Sequence, residues 1–292
     1  MFAGSLVAIV TPMHVDGAID FEAWTRLLEF HVANGTAGIV VGGTTGESAT
    51  LRDAELRELL LHACQLLQGQ LTVIAGAGTS STAATVERVA WLSELPIDAL
   101  LLVTPAYTRP PQEGLYRHFA AAAAAARKPL LLYNVPSRTA IDMTPETVAR
   151  LAHVPGIVGL KEAVAETERV RELIARSPAG FLVLSGDDAT ARAAVAAGAR
   201  GVISVTANVA PRAMSQMLAA ALRGDVEGAA GLDEPLSALH RELFVETNPI
   251  PDKWLLAHMG LIGPGIRLPL TPLAPEYSAG LLAAARAAGL LV

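Results

Sequence analysis

The sequence contains a single cysteine, Cys64, among 292 residues, so no disulfide bond can form within the chain. This is typical of a protein of the reducing cytoplasm. Basic residues are also few: 22 Lys and Arg against 28 Asp and Glu give a formal net charge of −6, and no basic cluster occurs. Such a chain lacks the positive surface that nucleic acids and anionic membranes attract. We therefore expect a cytoplasmic protein that binds neither nucleic acid nor membrane.

Long apolar runs are absent as well, although 52% of the residues are hydrophobic. No stretch approaches the roughly 18 consecutive apolar residues of a membrane-spanning helix. The first residues have neither the basic segment nor the cleavage site of a signal peptide. Only 17% of the residues are charged, which excludes a disordered chain and predicts a large core. Strands buried on both faces would account for this hydrophobic composition.

What the sequence does have is a regular alternation of short apolar runs and helical segments. Each apolar run is too short for a helix and is bounded by Gly, Pro, Thr or Asn, which predicts a buried strand. We predict eight strands, at Leu6–Val10, Gly38–Val41, Leu71–Ala75, Ala99–Val103, Leu130–Tyr133, Ile157–Leu160, Phe181–Leu184 and Val202–Val205. Helical spacing predicts helices between them, at Phe21–Val32, Arg52–Leu67, Ala83–Leu95, Gln112–Arg127, Pro145–Leu151, Thr167–Arg176 and Asp188–Ala197.

Eight strands, each followed by a helix, over about 220 residues match the size of an α/β protein of the (β/α)8 TIM-barrel class. A doubly wound sheet is the alternative. From about Asp225 the strand signals stop, and helices are predicted at Val226–Phe244, Pro251–Met259 and Pro275–Ala288. We therefore divide the chain into a catalytic barrel over residues 1–224 and a C-terminal helical appendage over residues 225–292.

Lysine is scarce, and the positions of the three lysines are informative. Lys128 precedes a strand and Lys253 lies in the appendage, whereas Lys161 falls near the C-terminal end of a predicted strand. In such barrels the active site lies at that end of the strands. A lysine whose pKa is lowered there is a nucleophile that forms Schiff bases with carbonyl compounds. The alternative is a structural lysine that extends to solvent or pairs with Glu162.

Other polar residues follow neighbouring predicted strands. A phenol at Tyr107 or Tyr133 could transfer a proton to or from an imine, although either tyrosine alone could be a packing residue. Thr44 and Thr45 lie among glycines that permit close approach, and their hydroxyl and N–H groups suit a carboxylate. Arg138 offers a planar guanidinium for a second carboxylate, unless it is an ordinary surface arginine.

Motifs for cofactors and metals are incomplete. The segment Gly42–Ser48 lacks the lysine of a phosphate-binding loop, and Gly76–Gly78 lacks the third glycine of a dinucleotide fingerprint. The seven histidines are dispersed and none ends a predicted strand, so we expect no catalytic metal. Asp187 and Asp188 follow the seventh strand, which favours carboxylate substrates over sugar phosphates.

Motifs over essentially the whole chain resemble the dihydrodipicolinate synthase (4-hydroxy-tetrahydrodipicolinate synthase) family of Schiff-base lyases. They are Gly43-Thr-Thr-Gly-Glu-Ser48, Thr104-Pro-Ala-Tyr107, Tyr133-Asn-Val-Pro-Ser-Arg-Thr139, Gly159-Leu-Lys-Glu162, Ser185-Gly-Asp-Asp188, Gly201-Val-Ile-Ser-Val205 and Asn248-Pro-Ile-Pro251. The resemblance implies a (β/α)8 barrel with C-terminal helices that condenses pyruvate with L-aspartate 4-semialdehyde on the diaminopimelate route to lysine. It also implies that no cofactor is needed.

The resemblance implies that one group of residues binds pyruvate. Lys161 is expected to attack the keto carbon of pyruvate and form an imine. Thr45 is expected to hold the pyruvate carboxylate, with Ile203 lining the same site through its backbone. Gly186, after the seventh strand, is also expected to be a substrate-binding residue.

A second group of residues is implied to move protons and to bind the aldehyde. Tyr133 is expected to be the proton donor and acceptor, linked through Thr44 to Tyr107 in a relay. Arg138 is expected to bind the carboxylate of the semialdehyde. The family is typically a homotetramer built from tight dimers, with the residue at the position of Tyr107 reaching into the neighbouring subunit's site.

Three other functions remain open. An N-acetylneuraminate lyase or a 2-keto-3-deoxy sugar acid aldolase would share the lysine and the tyrosine but not usually Arg138. A non-catalytic carboxylate-binding protein would not need every catalytic group. A metal-dependent barrel enzyme is disfavoured by the scattered histidines.

Feedback inhibition by lysine is expected to be weak or absent. Strongly inhibited members of the family usually have His at the position of Leu56, Asn at Ser80, Glu at Ala84 and Tyr at Ala106. Here Ser48 and Ala49 match that pocket, but the other four positions do not. Leu56 cannot hydrogen-bond, Ala84 cannot pair with an ammonium, and Ala106 offers no aromatic face.

Overall fold

Eight parallel strands close into a barrel in chain order in the computed structural model, which describes residues 2–291. The strands are β1 Gly4–Ala8, β2 Gly38–Val41, β3 Thr72–Gly76, β4 Ala99–Val103, β5 Leu130–Asn134, β6 Ile157–Glu162, β7 Leu182–Ser185 and β8 Gly201–Ser204. Strand β1 pairs with β2 on one side and with β8 on the other. The predicted (β/α)8 barrel is therefore confirmed, and the doubly wound sheet is wrong.

Strand positions agree with the prediction to within one or two residues. The largest difference is at β1, where the apolar run continues to Val10 but the strand ends at Ala8. The Val10 N–H donates to Oδ1 of Asn208 at 3.0 Å instead of to a neighbouring strand. Val10 is buried all the same. The apolar run is therefore longer than the hydrogen-bonded ladder.

Helices follow the strands around the barrel and continue beyond it. They are α1 Phe21–Ala33, α2 Asp53–Leu67, α3 Thr82–Leu92, α4 Gln112–Ala125, α5 Pro136–Thr139, α6 Pro145–Leu151, α7 Thr167–Arg176, α8 Ala191–Ala196, α9 Pro211–Leu222, α10 Val226–Asp233, α11 Ser237–Glu242, α12 Ile250–His258 and α13 Pro275–Ala287. Asp20, Ser81 and Thr144 accept backbone hydrogen bonds at the starts of α1, α3 and α6. None of the helices within residues 2–291 has the length and apolar composition needed to cross a bilayer.

The single helix predicted at Val226–Phe244 is wrong. The structure divides it into α10, a 3₁₀ turn at Glu234–Leu236, and α11. Pro235 explains the division, because proline has no N–H to donate and its ring crowds the carbonyl of the preceding turn. The boundary after residue 224 stays a prediction; α10 packs against α9, the last helix of the barrel.

Alternation along the strands decides which side chains reach the barrel interior. In β5, Leu131 and Tyr133 belong to the interior cluster, whereas Leu130 and Leu132 pack in the layer between sheet and helices. Burial on both faces confirms the origin of the continuous apolar runs. Because Tyr133 is in register with Lys161 on β6, the lysine also occupies an interior position at the C-terminal end of the barrel.

Candidate active site

Lys161 and Tyr133 lie side by side at the C-terminal ends of β6 and β5. Both are buried, with 5% and 8% of their surface exposed. The lysine Nζ is 4.4 Å from the centroid of the tyrosine ring, within the range of a cation–π contact. Glu162, the alternative partner for the lysine, accepts hydrogen bonds from Asn134 and from the Val164 N–H instead. The structure thus brings the amine and the phenol together.

A cavity of about 580 Å³ opens beside this pair. Thr44, Tyr133 and Arg138 line it from the barrel, and Asn248 lines it from the C-terminal segment. Lys161 contacts Tyr133, which forms part of the cavity wall. The cavity can hold a small molecule that carries several polar groups.

Gly186 makes room for the lysine. A Cβ atom at this position would lie 2.9 Å from Cε of Lys161 and 3.0 Å from Cβ of Ala163. The Gly186 N–H donates to the backbone oxygen of Glu162 at 2.6 Å, which fixes the turn after β7 against β6. Ile203, on β8, is fully buried in the interior cluster. Ile203 therefore lies in the barrel interior, and Gly186 lies in the turn after β7, directly against the lysine side chain.

The loop after β2 carries the two threonines. Thr44 faces the cavity, and Thr45 is buried beneath it, where its Oγ1 accepts a hydrogen bond of 2.9 Å from Nδ2 of Asn248. Gly76 on β3 lets the loop pass, because a Cβ there would collide with the backbone oxygen of Gly42. Glycine at position 76 is thus needed for the close approach of two backbones.

Glu47, at the end of the same loop, is held from outside the barrel. Its backbone has a left-handed φ of 57°, which is uncommon for a residue other than glycine. Its buried carboxylate pairs with Nζ of Lys253 on α12 and accepts from the Arg267 N–H at 3.1 Å. Burial lowers the pKa of Lys253, and the charge of Glu47 opposes that effect.

The C-terminal segment contributes more to the site than the sequence indicated. Besides contacting Thr45, Asn248 accepts a hydrogen bond of 3.1 Å through its backbone oxygen from Nη2 of Arg138. Asn248 therefore links the two residues expected to bind carboxylates. The only signal in the sequence was the motif that starts at Asn248, and Lys253 was set aside as a residue of the appendage. Their partners are more than a hundred residues away.

Tyr107 is not part of the cavity of its own chain. Its side chain is 94% exposed, and its backbone has a left-handed φ of 72°. No hydrogen bond joins it to Thr44 or Tyr133 in the part of the chain that the structure describes. The expected relay from Tyr133 through Thr44 to Tyr107 is therefore not assembled within one chain.

The acidic residues after β7 have structural partners. Asp187 accepts from the N–H and the hydroxyl of Thr190. Asp188 accepts from the N–H groups of Val205 and Thr206 at 2.8 and 2.9 Å, which fixes the end of β8. Within residues 2–291, no group of three or more His, Cys, Asp or Glu side chains is arranged to hold a metal ion.

Comparison with known proteins adds relatives that span the full length. The model of the "Dihydrodipicolinate synthetase family" matches residues 1–288. The 4-hydroxy-tetrahydrodipicolinate synthase of Stutzerimonas stutzeri (strain A1501) is 51% identical over 291 residues, which cover 100% of both chains. The enzyme of the same name from Laribacter hongkongensis (strain HLHK9) is 50% identical over 291 residues, again with 100% coverage of both.

Solved structures also match this chain over its full length. The chloride-inhibited dihydrodipicolinate synthase from Acinetobacter baumannii complexed with pyruvate has a TM-score of 0.98 and 46% identity, with 100% of each chain covered. The 4-hydroxy-tetrahydrodipicolinate synthase from Methylacidiphilum fumariolicum SolV has a TM-score of 0.95 and 40% identity at the same coverage.

Proposed function

The chain belongs to the dihydrodipicolinate synthetase family, and we propose that it condenses pyruvate with L-aspartate 4-semialdehyde to give 4-hydroxy-tetrahydrodipicolinate. The protein is thus a lyase-type enzyme of diaminopimelate and lysine biosynthesis. The observation that carries this function is the match, over the full length and at about half identity, to enzymes named for this activity. The contact between Lys161 and Tyr133 supports the chemistry.

Lys161 begins the reaction. Its Nζ attacks the keto carbon of pyruvate, and loss of water leaves an imine between lysine and substrate. The protonated imine withdraws electrons from the adjacent methyl group, which then loses a proton to give an enamine. The enamine carbon attacks the aldehyde carbon of the semialdehyde. The substrate's own amine finally displaces the lysine, which closes the ring and frees the enzyme.

Thr45 is suited to hold the pyruvate carboxylate. A threonine hydroxyl has one proton to donate and two lone pairs that accept. Asn248 donates to Oγ1 of Thr45, so the threonine proton remains available for a carboxylate oxygen. Thr44 is next to it on the cavity wall. Ile203 and Gly186 complete the pyruvate site, one through its backbone and the other by leaving room for the lysine.

Tyr133 transfers the protons. Its ring contacts the amine of Lys161 and its side chain lines the cavity, so the phenol lies beside the position of the imine. Thr44 connects it to Tyr107, which we assign to the neighbouring subunit because this side chain points into solvent on its own chain. A homotetramer formed as a dimer of dimers in the cytoplasm would complete every site.

Arg138 binds the carboxylate of the semialdehyde. The short helix α5 carries it to the cavity, and the Asn248 backbone oxygen accepts one of its N–H groups. A guanidinium has five N–H donors, so enough remain for a paired contact with a carboxylate. The aldehyde is thereby directed toward the enamine.

Borohydride reduction in the presence of pyruvate tests the imine, and a coupled assay tests the second substrate. Intact mass should rise by one pyruvate adduct per chain, with the adduct on Lys161 and none in the Lys161→Ala variant. Turnover of the pyruvate-loaded enzyme should be far faster with L-aspartate 4-semialdehyde than with N-acetylmannosamine. An adduct on Lys128 or Lys253, or a preference for the sugar, would refute the proposal.

A further inference from the structure

Asn134 and Glu162 follow directly after the catalytic pair in the barrel. They are in register with each other, just as Tyr133 is with Lys161, and they are the last residues of β5 and β6. Alternation puts their side chains on the outer face of the sheet, and both are buried there. The ends of strands are where a ladder is most easily opened, so a bridge at this place limits motion of the neighbouring pair.

The bridge consists of direct hydrogen bonds. Nδ2 of Asn134 donates to both carboxylate oxygens of Glu162, at 3.0 and 3.2 Å. It also donates to Oδ1 of Asp142 at 2.7 Å, and its own Oδ1 accepts from the Met143 N–H at 3.0 Å. The Val164 N–H donates to Glu162 at 2.9 Å. The carboxylate thus ties the end of β5 to the turn after β6.

Arg169 on α7 closes the cluster from the helix layer. Its Nε is 3.4 Å from Oε2 of Glu162, and its two terminal nitrogens bond both oxygens of Asp142 at 3.1 and 2.7 Å. The groups closest to the Glu162 carboxylate are the Asn134 amide, the Val164 N–H and the Arg169 guanidinium, all of them hydrogen-bond donors, with the Asp142 carboxylate on the far side of Asn134 and Arg169. An ionised carboxylate can accept from these donors with both oxygens, whereas a protonated one presents an O–H to them in place of a lone pair.

We propose that Glu162 is a positioning residue for the reaction proposed above: its ionised carboxylate, acting through Asn134, holds Tyr133 in place beside Lys161. The residue does not touch the substrates. Its effect is on the alignment of the phenol with the imine, and a displacement of the order of 1 Å can reduce a rate by about 10²-fold.

The cluster makes this alignment depend on pH. Burial raises the pKa of Glu162 to about 7, with Asp142 acting in the same direction and Arg169 against it. As the pH falls through this value, Glu162 gains a proton and the bridge loses an acceptor. Proton transfer by Tyr133 should weaken in the same range, although neither catalytic residue has changed.

The test compares Glu162→Gln with the wild-type enzyme over a pH series. Glutamine keeps the size of the side chain but cannot ionise. Its NH₂ group would also face the N–H donors that surround the carboxylate in the wild type. We expect kcat, and the exchange of pyruvate methyl hydrogens with solvent deuterium, to fall by about 10–10²-fold at alkaline pH. The KM for pyruvate should change little, and the loss of kcat toward acid pH that we expect of the wild type should be absent. Glu168→Gln, an exposed substitution on α7 next to Arg169, is the matched control and should behave as wild type.

A second variant keeps the test decisive if Glu162→Gln does not fold. Arg169→Gln removes the cation that favours the ionised form, so the midpoint of the acid limb should move upward. An unchanged midpoint in that variant, or wild-type kinetics in Glu162→Gln, overturns the inference.

Borohydride trapping of pyruvate on the same samples separates the two proposals: if trapping fails in the wild type, the proposed function is wrong. If trapping succeeds and these midpoints and rates do not change, only the role of Glu162 is wrong.

Discussion

Glu47 and Lys253 form a buried ion pair across 206 positions of the sequence. The pair joins the loop that carries Thr44 and Thr45 to helix α12, which the chain adds only after the barrel is complete. One side of the active site is thus supported by a helix of the C-terminal appendage.

Lys253→Met should destabilise the protein and weaken pyruvate binding. Removing one partner leaves a buried, uncompensated carboxylate, which commonly costs about 3–5 kcal/mol, whereas replacing both partners is often nearly neutral. Denaturant unfolding should show this loss, and the KM for pyruvate should rise because the threonine loop is displaced. Combining it with Glu47→Gln should recover most of the stability. Lys128→Met, which removes a lysine outside the site, is the control, and a loss as large in that variant would contradict the prediction.

Tyr133→Phe should keep the fold and lose most of the rate. It retains the ring that contacts Lys161 and removes only the oxygen that transfers protons, a contribution of about 10²–10⁴-fold. The variant should lose most of its steady-state kcat, whereas borohydride trapping of pyruvate should still be detectable after long incubation. Tyr116→Phe, outside the cavity and beside Arg150, should behave as wild type. If Tyr133→Phe turned over within twofold of wild type, the tyrosine would be a packing residue only.

Tyr107→Phe and Lys161→Ala chains should complement each other. If Tyr107 serves the neighbouring subunit, a mixed dimer contains one site with both an intact lysine and an intact tyrosine relay. Mixing the two inactive proteins under conditions of subunit exchange should restore part of the activity. Mass spectrometry of the intact assembly verifies the exchange. No recovery in verified mixed dimers would show that each chain is self-sufficient.

Asp252→Asn should remove a pH-dependent destabilisation. Asp252 is fully buried, and neither carboxylate oxygen has a hydrogen-bond partner in the described chain. Burial, with the nearby charge of Asp188, raises its pKa well above the usual value. In the unfolded chain an aspartate ionises near pH ~4, so the folded state binds the extra proton above that pH and stability falls as the pH rises.

The measurement is the difference in unfolding free energy between wild type and Asp252→Asn across about pH 5 to 8. The advantage of the variant should grow toward alkaline pH. The exposed substitution Glu276→Gln on α13 should show no such trend. A constant difference over the whole range would mean that Asp252 ionises as freely in the folded state as in the unfolded one.

Lysine should inhibit the enzyme weakly or not at all. Leu56 is buried and has no hydrogen-bonding group, and the methyl group of Ala84 carries no charge that could pair with an ammonium. Each lost charged hydrogen bond costs about 1.5–3 kcal/mol, so two or more such losses weaken binding beyond useful concentrations. Rate assays and calorimetric titration over a lysine series test this prediction. Saturable inhibition with a dissociation constant below about 1 mM, which corresponds to a binding free energy of ~4 kcal/mol, would disprove it.

The barrel and its lysine could be predicted because they depend on local signals. Eight apolar runs at regular spacing leave few topologies, and the position of Lys161 near the end of one run places its amine at the barrel mouth. The break at Pro235 is also a local signal, since a proline inside a helical pattern ends or kinks the helix. The end of β1 was missed because a side chain, Asn208, replaces the ladder there.

The contribution of the C-terminal segment could not be predicted from its residues. Asn248 and Lys253 act on partners up to 206 residues away, and such pairs leave no periodic pattern in one sequence. Glu162 was considered as a partner for Lys161, but successive residues of a strand face opposite sides, and it serves Asn134 and Arg169 instead.

The position of these contacts also sets the order in which the enzyme matures during synthesis. A ribosome that has released residues 1–224 has made all eight strands and the nucleophilic lysine, but neither Asn248 nor Lys253. The loop with Thr45 then has no amide to orient its hydroxyl, and Glu47 has no cation. We therefore expect nascent chains to gain activity only when the last quarter of the polypeptide emerges, so the C-terminal helices act as the final checkpoint of biogenesis.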